Sequence, residues 1–334
     1  MIKVLHPGML TTIQDLGRFG FQKFGVIVSG AMDPFALRVA NLLVGNKENT
    51  AALEMTLAGP TLQFNKNCLI SITGFGMNAK INNEVVRHWR PVYVRAGSVL
   101  EFTPTTVGCR AYLAVEGGFA VPTIMGSTST YLKAGIGGYN GRAIQTGDYL
   151  DIGQQASAPL VIKETLVSRL KESSFVYPKW HVSSEFLPKY QPNPVLRVVK
   201  GNQFEDFTEE SRTAFLEGRF EVSSRSDRMG YRLSGQALQL TNQVELISEA
   251  VTSGTVQVPS DGNPILLLAD RQTIGGYPKI AQVVRVDLPI IAQARPGEKV
   301  GFELVTLEQA QKWIREEEQS IKQLKTILKH LSER

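Results

Sequence analysis

Short apolar runs bounded by glycine turns recur along most of this chain. They predict strands over 69–73, 91–94, 99–102, 111–115, 196–199, 265–269 and 282–286. Many short strands at this spacing belong to barrels or sandwiches. One early segment breaks the pattern. Asp33 is placed to cap a helix, Pro34 to fill its first turn, 35–44 to form its body and Gly45 to stop it. Near the other end Thr306 and Gln309 form a capping box, in which hydroxyl and amide side chains satisfy each other's end amides. Beyond it Ile321, Leu324, Leu328 and Leu331 recur at three- and four-residue steps among Glu and Lys. An amphipathic C-terminal helix is therefore predicted over 306–334. It either packs on its own domain or serves as a short interaction helix for a partner chain. Residues 153–195, rich in proline and polar side chains, read as a connector.

The same landmarks also occur twice in the same order, over 15–102 and 227–302. Gly17, Arg18 and Gly20 lead to Ser29 and Gly30; Arg228, Gly230 and Arg232 lead to Ser234 and Gly235. Glu54, Gly59 and Gln63 answer to Glu249, Gly254 and Gln257. Thr73, Gly76 and Lys80 answer to Thr273, Gly275 and Lys279, and Pro91 to Pro289. The near-constant offset predicts a duplicated fold: mainly β with a few helices, two domains of barrel or sandwich type over 1–152 and 196–305, then the C-terminal helix.

A chain of 334 residues is long for one core, which agrees with two domains. With 43% hydrophobic and 20% charged residues it has the balance of a globular protein. No run approaches the ~18 apolar residues of a membrane span, and Pro7 interrupts the start before a signal-peptide core forms. A cytoplasmic protein is expected. Cys68 and Cys109 each lie in an apolar run and are expected to be buried thiols. The net charge of +5 is carried by scattered basic residues, so no nucleic-acid footprint is present. Small anions and acidic partners remain compatible.

Candidate chemistry gathers in three glycine-rich polar clusters, over 7–33, 115–142 and the split pair 226–232 and 268–279. Glycines let backbone amides approach a ligand, and hydroxyls beside them hold anionic oxygens. This points to Ser29, Gly30, Ser127, Ser129, Gly275 and Gly276 as substrate-binding positions. Arg228 and Arg271 offer forks matched to carboxylate or phosphate, and Lys279 a point charge. Asp227 and Asp270 each precede an arginine, to orient it or act as a base. Arg271, Lys279, Asp227 and Arg228 are the catalytic candidates. No phosphate loop, dinucleotide fingerprint or nucleophile elbow is present. The cysteines lack a companion ligand set, so no metal site is expected. Among four histidines only His6 adjoins a glycine-rich cluster. This inventory suits binding and polarising a carbonyl or carboxylate better than covalent catalysis.

Taken together, the runs TTIQD at 11–15, SGAMD at 29–33, ANLLVGN at 40–46, SDRMGY at 226–231, SEA at 248–250 and ADRQTIGGYPK at 269–279 resemble the carboxyltransferase subdomain A/B family. That family is also known as allophanate hydrolase subunit 2. The resemblance spans about 1–308 and implies cyclophilin-like β-barrels. It is nearest to the branch whose members act as the C chains of bacterial ATP-dependent 5-oxoprolinases. That branch implies two partners, the A and B subunits of 5-oxoprolinase. The B subunit is also known as the Kip inhibitor of a sporulation histidine kinase. The assembly opens 5-oxoproline to L-glutamate at the expense of ATP, and the chain is expected to be inactive alone.

On that implication Gln272 and Thr273 position the substrate while Arg228, Arg271 and Lys279 supply charge. ATP enters at the level of the complex, and biotin is not expected. Two alternatives stay open: a regulatory protein that antagonises the Kip inhibitor, and a biotin-dependent carboxyltransferase subunit. One departure is visible. Thr128 stands in GSTSTY, over 126–131, where the family commonly has arginine.

Overall fold

A computed structural model describes residues 1–154, 161–242 and 246–331. The chain forms two compact units: Met1–Arg18, Asp33–Leu187 and Gln319–Arg334 make one, and Phe19–Met32 with Pro188–Glu318 the other. Among the described residues no helix is long and apolar enough to cross a membrane.

In the first unit two six-stranded sheets share one apolar core. Met77–Ile81 shows the expected alternation, with Met77, Ala79 and Ile81 buried and Asn78 and Lys80 exposed. Cys68–Gly74 and Arg110–Val115 are instead buried at every position. The reason is the helix Pro34–Leu43, which covers the outer face of their sheet. The Ser71 and Thr73 hydroxyls donate to its Ala40 and Ala36 carbonyls at 2.6 and 2.7 Å. The helix begins as predicted, with Asp33 Oδ1 accepting from the Ala36 amide at 2.9 Å and proline in the first turn. Its start is tied to the sheet: the Asp33 amide donates to the Tyr112 hydroxyl at 2.8 Å, which donates to Glu54 Oε2 at 2.7 Å. Burial, then the Glu54 charge, holds the Tyr112 phenol well above its ordinary range.

The segment expected as a connector carries a helix, Val161–Arg169, and a strand, Phe175–Val176, that pairs with Pro91–Val94 and extends the sheet. Phe175 and Tyr177 stack at 5.9 Å and pack on the core, so the chain as far as Leu187 is part of this unit. The last helix runs Leu307–Leu331. Its capping box forms, with the Thr306 amide donating to Gln309 Oε1 at 2.9 Å and the Gln309 amide to Thr306 Oγ1 at 3.2 Å. Ile321 and Leu328 are buried, while Leu324 and Ile327 line a groove of about 260 Å³ with Trp180 and Phe186. Both cysteines are buried thiols, and burial pushes the Cys68 thiol up to about 12.

His88 yields a pH prediction. It is half-buried, and desolvation lowers its imidazole to about 4. The unfolded chain takes up its proton near pH 6.5, so the folded state binds fewer protons between the two values. Stability is then full above pH 6.5 and falls as pH drops toward 4. For a half-buried group the loss is about 1–2 kcal/mol. Chemical denaturation at pH 7 and pH 4.5 checks it: His88→Gln flattens part of the difference.

The second unit is a closed barrel of seven strands, Val195–Lys200, Lys279–Val283, Thr255–Gln257, Ile265–Leu267, Gly230–Ser234, Phe220–Val222 and Lys299–Leu304. Parallel pairing of its first and last strands closes it. Inside, Phe215 stacks on Phe302 at 4.3 Å, with Phe220 tilted against both. The strand expected over 282–286 runs instead over Lys279–Val283, and Arg285–Asp287 is a 3₁₀ turn. The buried Asp287 carboxylate accepts from the Arg197 amide at 2.8 Å and pairs with its guanidinium, which draws the chain off the ladder. The fold class is as expected, mainly β with a C-terminal helix. The last landmark of the repeat is not structurally equivalent: Pro91 opens a strand, whereas Pro289 lies in the helix Leu288–Ala292.

Candidate functional site

Most of the expected site residues fall in the second unit, on three neighbouring pieces of chain. Gly230–Ser234 pairs with Ile265–Leu267, and the pairing extends past both strands: the Leu268 amide donates to the Met229 carbonyl at 2.9 Å and the Asp270 amide to the Arg228 carbonyl at 2.8 Å. Arg228 and Asp270 thereby become cross-strand neighbours. The Arg228 fork donates to Asp270 through Nε at 2.9 Å and Nη2 at 3.0 Å, and Nη2 also reaches the Gly30 carbonyl at 2.5 Å. Ser29 Oγ donates to the same carboxylate at 2.6 Å. Ser29 sits at φ 57°, a left-handed conformation uncommon for a residue with a side chain, and this bond helps hold it there. All of these side chains are buried. The pair behaves as an internal brace, because each charge satisfies the other out of water.

Asp227 is exposed, and its carboxylate accepts from the Met229 amide at 2.8 Å and the Gly230 amide at 3.4 Å, closing the turn before the strand. Arg271 differs from Arg228. It is partly buried, and among the described residues its guanidinium donates only to the Leu268 and Val251 carbonyls, at 3.3 and 3.4 Å. No carboxylate among the described residues pairs with it, and desolvation lowers its affinity for the proton. A guanidinium held by backbone, with no counter-charge among the described residues, has its fork available to an anion. Beside it Gln272 is exposed and Thr273 half-buried, its carbonyl accepting from the Val251 amide at 3.1 Å.

A two-stranded arm, Glu249–Ala250 against Ile274–Gly275, follows. Under it lie Gln257 and Lys279, opposite one another on adjacent barrel strands and both buried. Lys279 Nζ donates to Glu249 Oε2 at 3.0 Å. Gly275 is required by close approach, since a Cβ there would lie 2.5 Å from Gln257 Nε2. With Gln257 enclosed, Gly275→Ala is expected to lift the arm and cost about 1–2 kcal/mol. A lowered melting midpoint, with faster proteolysis near the arm, checks this. Gly276 packs its backbone near the Ser248 hydroxyl.

Ser127 and Ser129 fall in the first unit and are fully buried. Their hydroxyls donate to Asp15 Oδ1 at 2.7 and 2.5 Å, together with the Gly17 amide at 2.8 Å. Thr128 donates to Asp15 Oδ2 through its amide at 2.7 Å and its hydroxyl at 3.0 Å. These hydroxyls are committed to a buried carboxylate. His6 ends a strand, and its Nδ1 accepts from the Gly8 amide at 3.1 Å, a turn contact. Sequence patterns singled out Arg271 and Lys279 but not the partner of Lys279. Glu249 appeared as a landmark of the repeat and within the SEA run at 248–250, without a role of its own.

The barrel thus carries a partly buried arginine with no carboxylate partner among the described residues and a buried lysine paired to Glu249. The chain matches the family model of the carboxyltransferase domain, subdomain A and B, over residues 24–304, and it belongs to that family. It is 38% identical to the 5-oxoprolinase C subunit of Haemophilus influenzae, over 98% of this chain and 99% of that one. It is 39% identical to the Escherichia coli protein of the same name, over 97% of each. The solved Kluyveromyces lactis urea carboxylase superposes with a TM-score of 0.87 at 28% identity, over 97% of this chain and 29% of that one.

Proposed function

We propose that this chain is the C subunit of a 5-oxoprolinase. It acts with the A and B subunits to open 5-oxoproline to L-glutamate as ATP is hydrolysed, and it is inactive alone. The observation that carries this reading is end-to-end similarity, at 38–39% identity, to two subunits of that name. The site chemistry agrees. The substrate is a cyclic amide bearing a carboxylate. Its amide carbon is a poor electrophile until the carbonyl oxygen is phosphorylated, so a site for it needs fixed cations for carboxylate and phosphoryl oxygens more than a nucleophile. Arg271 and Lys279 supply those cations, with Gln272, Thr273 and the Gly275 and Gly276 backbone positioning the ring. Arg228, Asp227, Ser29 and Gly30 brace the loop that carries them. Ser127, Thr128 and Ser129 hold Asp15. Water opens the activated ring.

The test is glutamate release from 5-oxoproline and ATP by purified A and B subunits, with and without this chain. Release only from the three-chain mixture supports the proposal; release independent of this chain sinks it. The likeness to urea carboxylase supports a second reading, carboxyl transfer from carboxybiotin. Inhibition of turnover by avidin would select it.

A further inference from the structure

Lys279 and Glu249 are unequally placed. The lysine side chain is 9% exposed and the glutamate side chain 51%. A buried ammonium needs an anion near it, since leaving it alone is costly, whereas a half-exposed carboxylate is well served by water and gains little from the pair. Glu249 therefore matters to Lys279 far more than Lys279 does to Glu249. The glutamate is also weakly anchored. Its strand is two residues long, pairs among the described residues only with Ile274–Gly275, and is exposed at both positions. Gly275, directly opposite, lies against Gln257, so the arm is in van der Waals contact with the barrel at the point where the ion pair forms.

On the reading that this site takes a carboxylate-bearing cyclic amide, we infer that Glu249 is a stand-in for the substrate's carboxylate. It neutralises Lys279 in the empty site and gives way when an acid ligand arrives. The exchange replaces one ion pair by another, so the ammonium is never buried without a counter-charge. It also makes the substrate compete with a tethered carboxylate, which weakens binding. Glu249 is thus a positioning residue that tunes affinity for acid substrates through Lys279.

The experiment measures KM and kcat for 5-oxoproline in the complex with the A and B subunits, for the wild type, Glu249→Gln, Glu249→Asp and Lys279→Ala. Lys279→Ala is expected to raise KM about 10- to 100-fold, as loss of a charged hydrogen bond does. Glu249→Gln is expected to lower KM about two- to fivefold, the worth of a half-exposed pair, and by more than it lowers kcat. Glu249→Asp returns KM toward the wild-type value. If KM is unchanged or raised in Glu249→Gln while Lys279→Ala raises it, the inference is overturned and the functional reading stands. If Lys279→Ala leaves KM alone, Lys279 does not meet the substrate and the inference falls with that assignment. If turnover never depends on this chain, the functional reading itself fails. A melting midpoint for each variant completes the test: loss of folding in both Glu249→Gln and Glu249→Asp assigns the side chain a structural role and overturns the proposal.

Discussion

Replacing Arg271 by alanine is expected, on the proposed function, to lower 5-oxoproline turnover with the A and B subunits about 10²- to 10³-fold, the range for removing one fixed donor from a developing anion. The chain itself stays folded. Arg271 has no carboxylate partner among the described residues, so its removal orphans no buried charge; only two backbone carbonyls, of Leu268 and Val251, lose a donor at 3.3–3.4 Å. Activity and stability are therefore expected to separate. Arg271→Lys recovers little, since a point charge cannot reproduce the planar fork. Steady-state glutamate release and a melting curve on the same preparations check both halves. Full turnover in Arg271→Ala would remove the assigned site.

Asp270 predicts the reverse. Asp270→Asn costs about 3–5 kcal/mol of stability, because it breaks a buried, forked ion pair by neutralising one partner. The same substitution weakens the acceptor of Ser29 Oγ, the bond that helps hold a left-handed backbone. Double replacement of Arg228 and Asp270 by apolar residues of similar size recovers part of the loss, since neither charge is then stranded. Urea denaturation of the four species gives the coupling directly. A loss below about 1 kcal/mol in Asp270→Asn would mean that the pair is solvated and is no brace.

Local features are legible wherever the signal and the structure have the same range. The strand Pro91–Val94, the Asp33 cap and the Thr306–Gln309 box each depend on residues within a few positions of one another, and each forms as read. The strand expected at 282–286 lies elsewhere because its end is set by Arg197, far away in the chain, whose fork takes the Asp287 carboxylate. Ser127 and Ser129 read as ligand-facing hydroxyls beside glycines. They are instead consumed by Asp15, more than a hundred residues earlier in the chain.

The sequence by itself determined the fold class and the family. It did so because alternation, caps and motif order are local and written residue by residue. Which cation is available was decided only in three dimensions. Arg228 and Arg271 look alike in the chain, each following an aspartate. Strand pairing brings Asp270 to Arg228, and leaves Arg271 two carbonyls and no counter-charge among the described residues. Availability is a matter of desolvation and of partners distant in sequence, and those exist only once the barrel has closed.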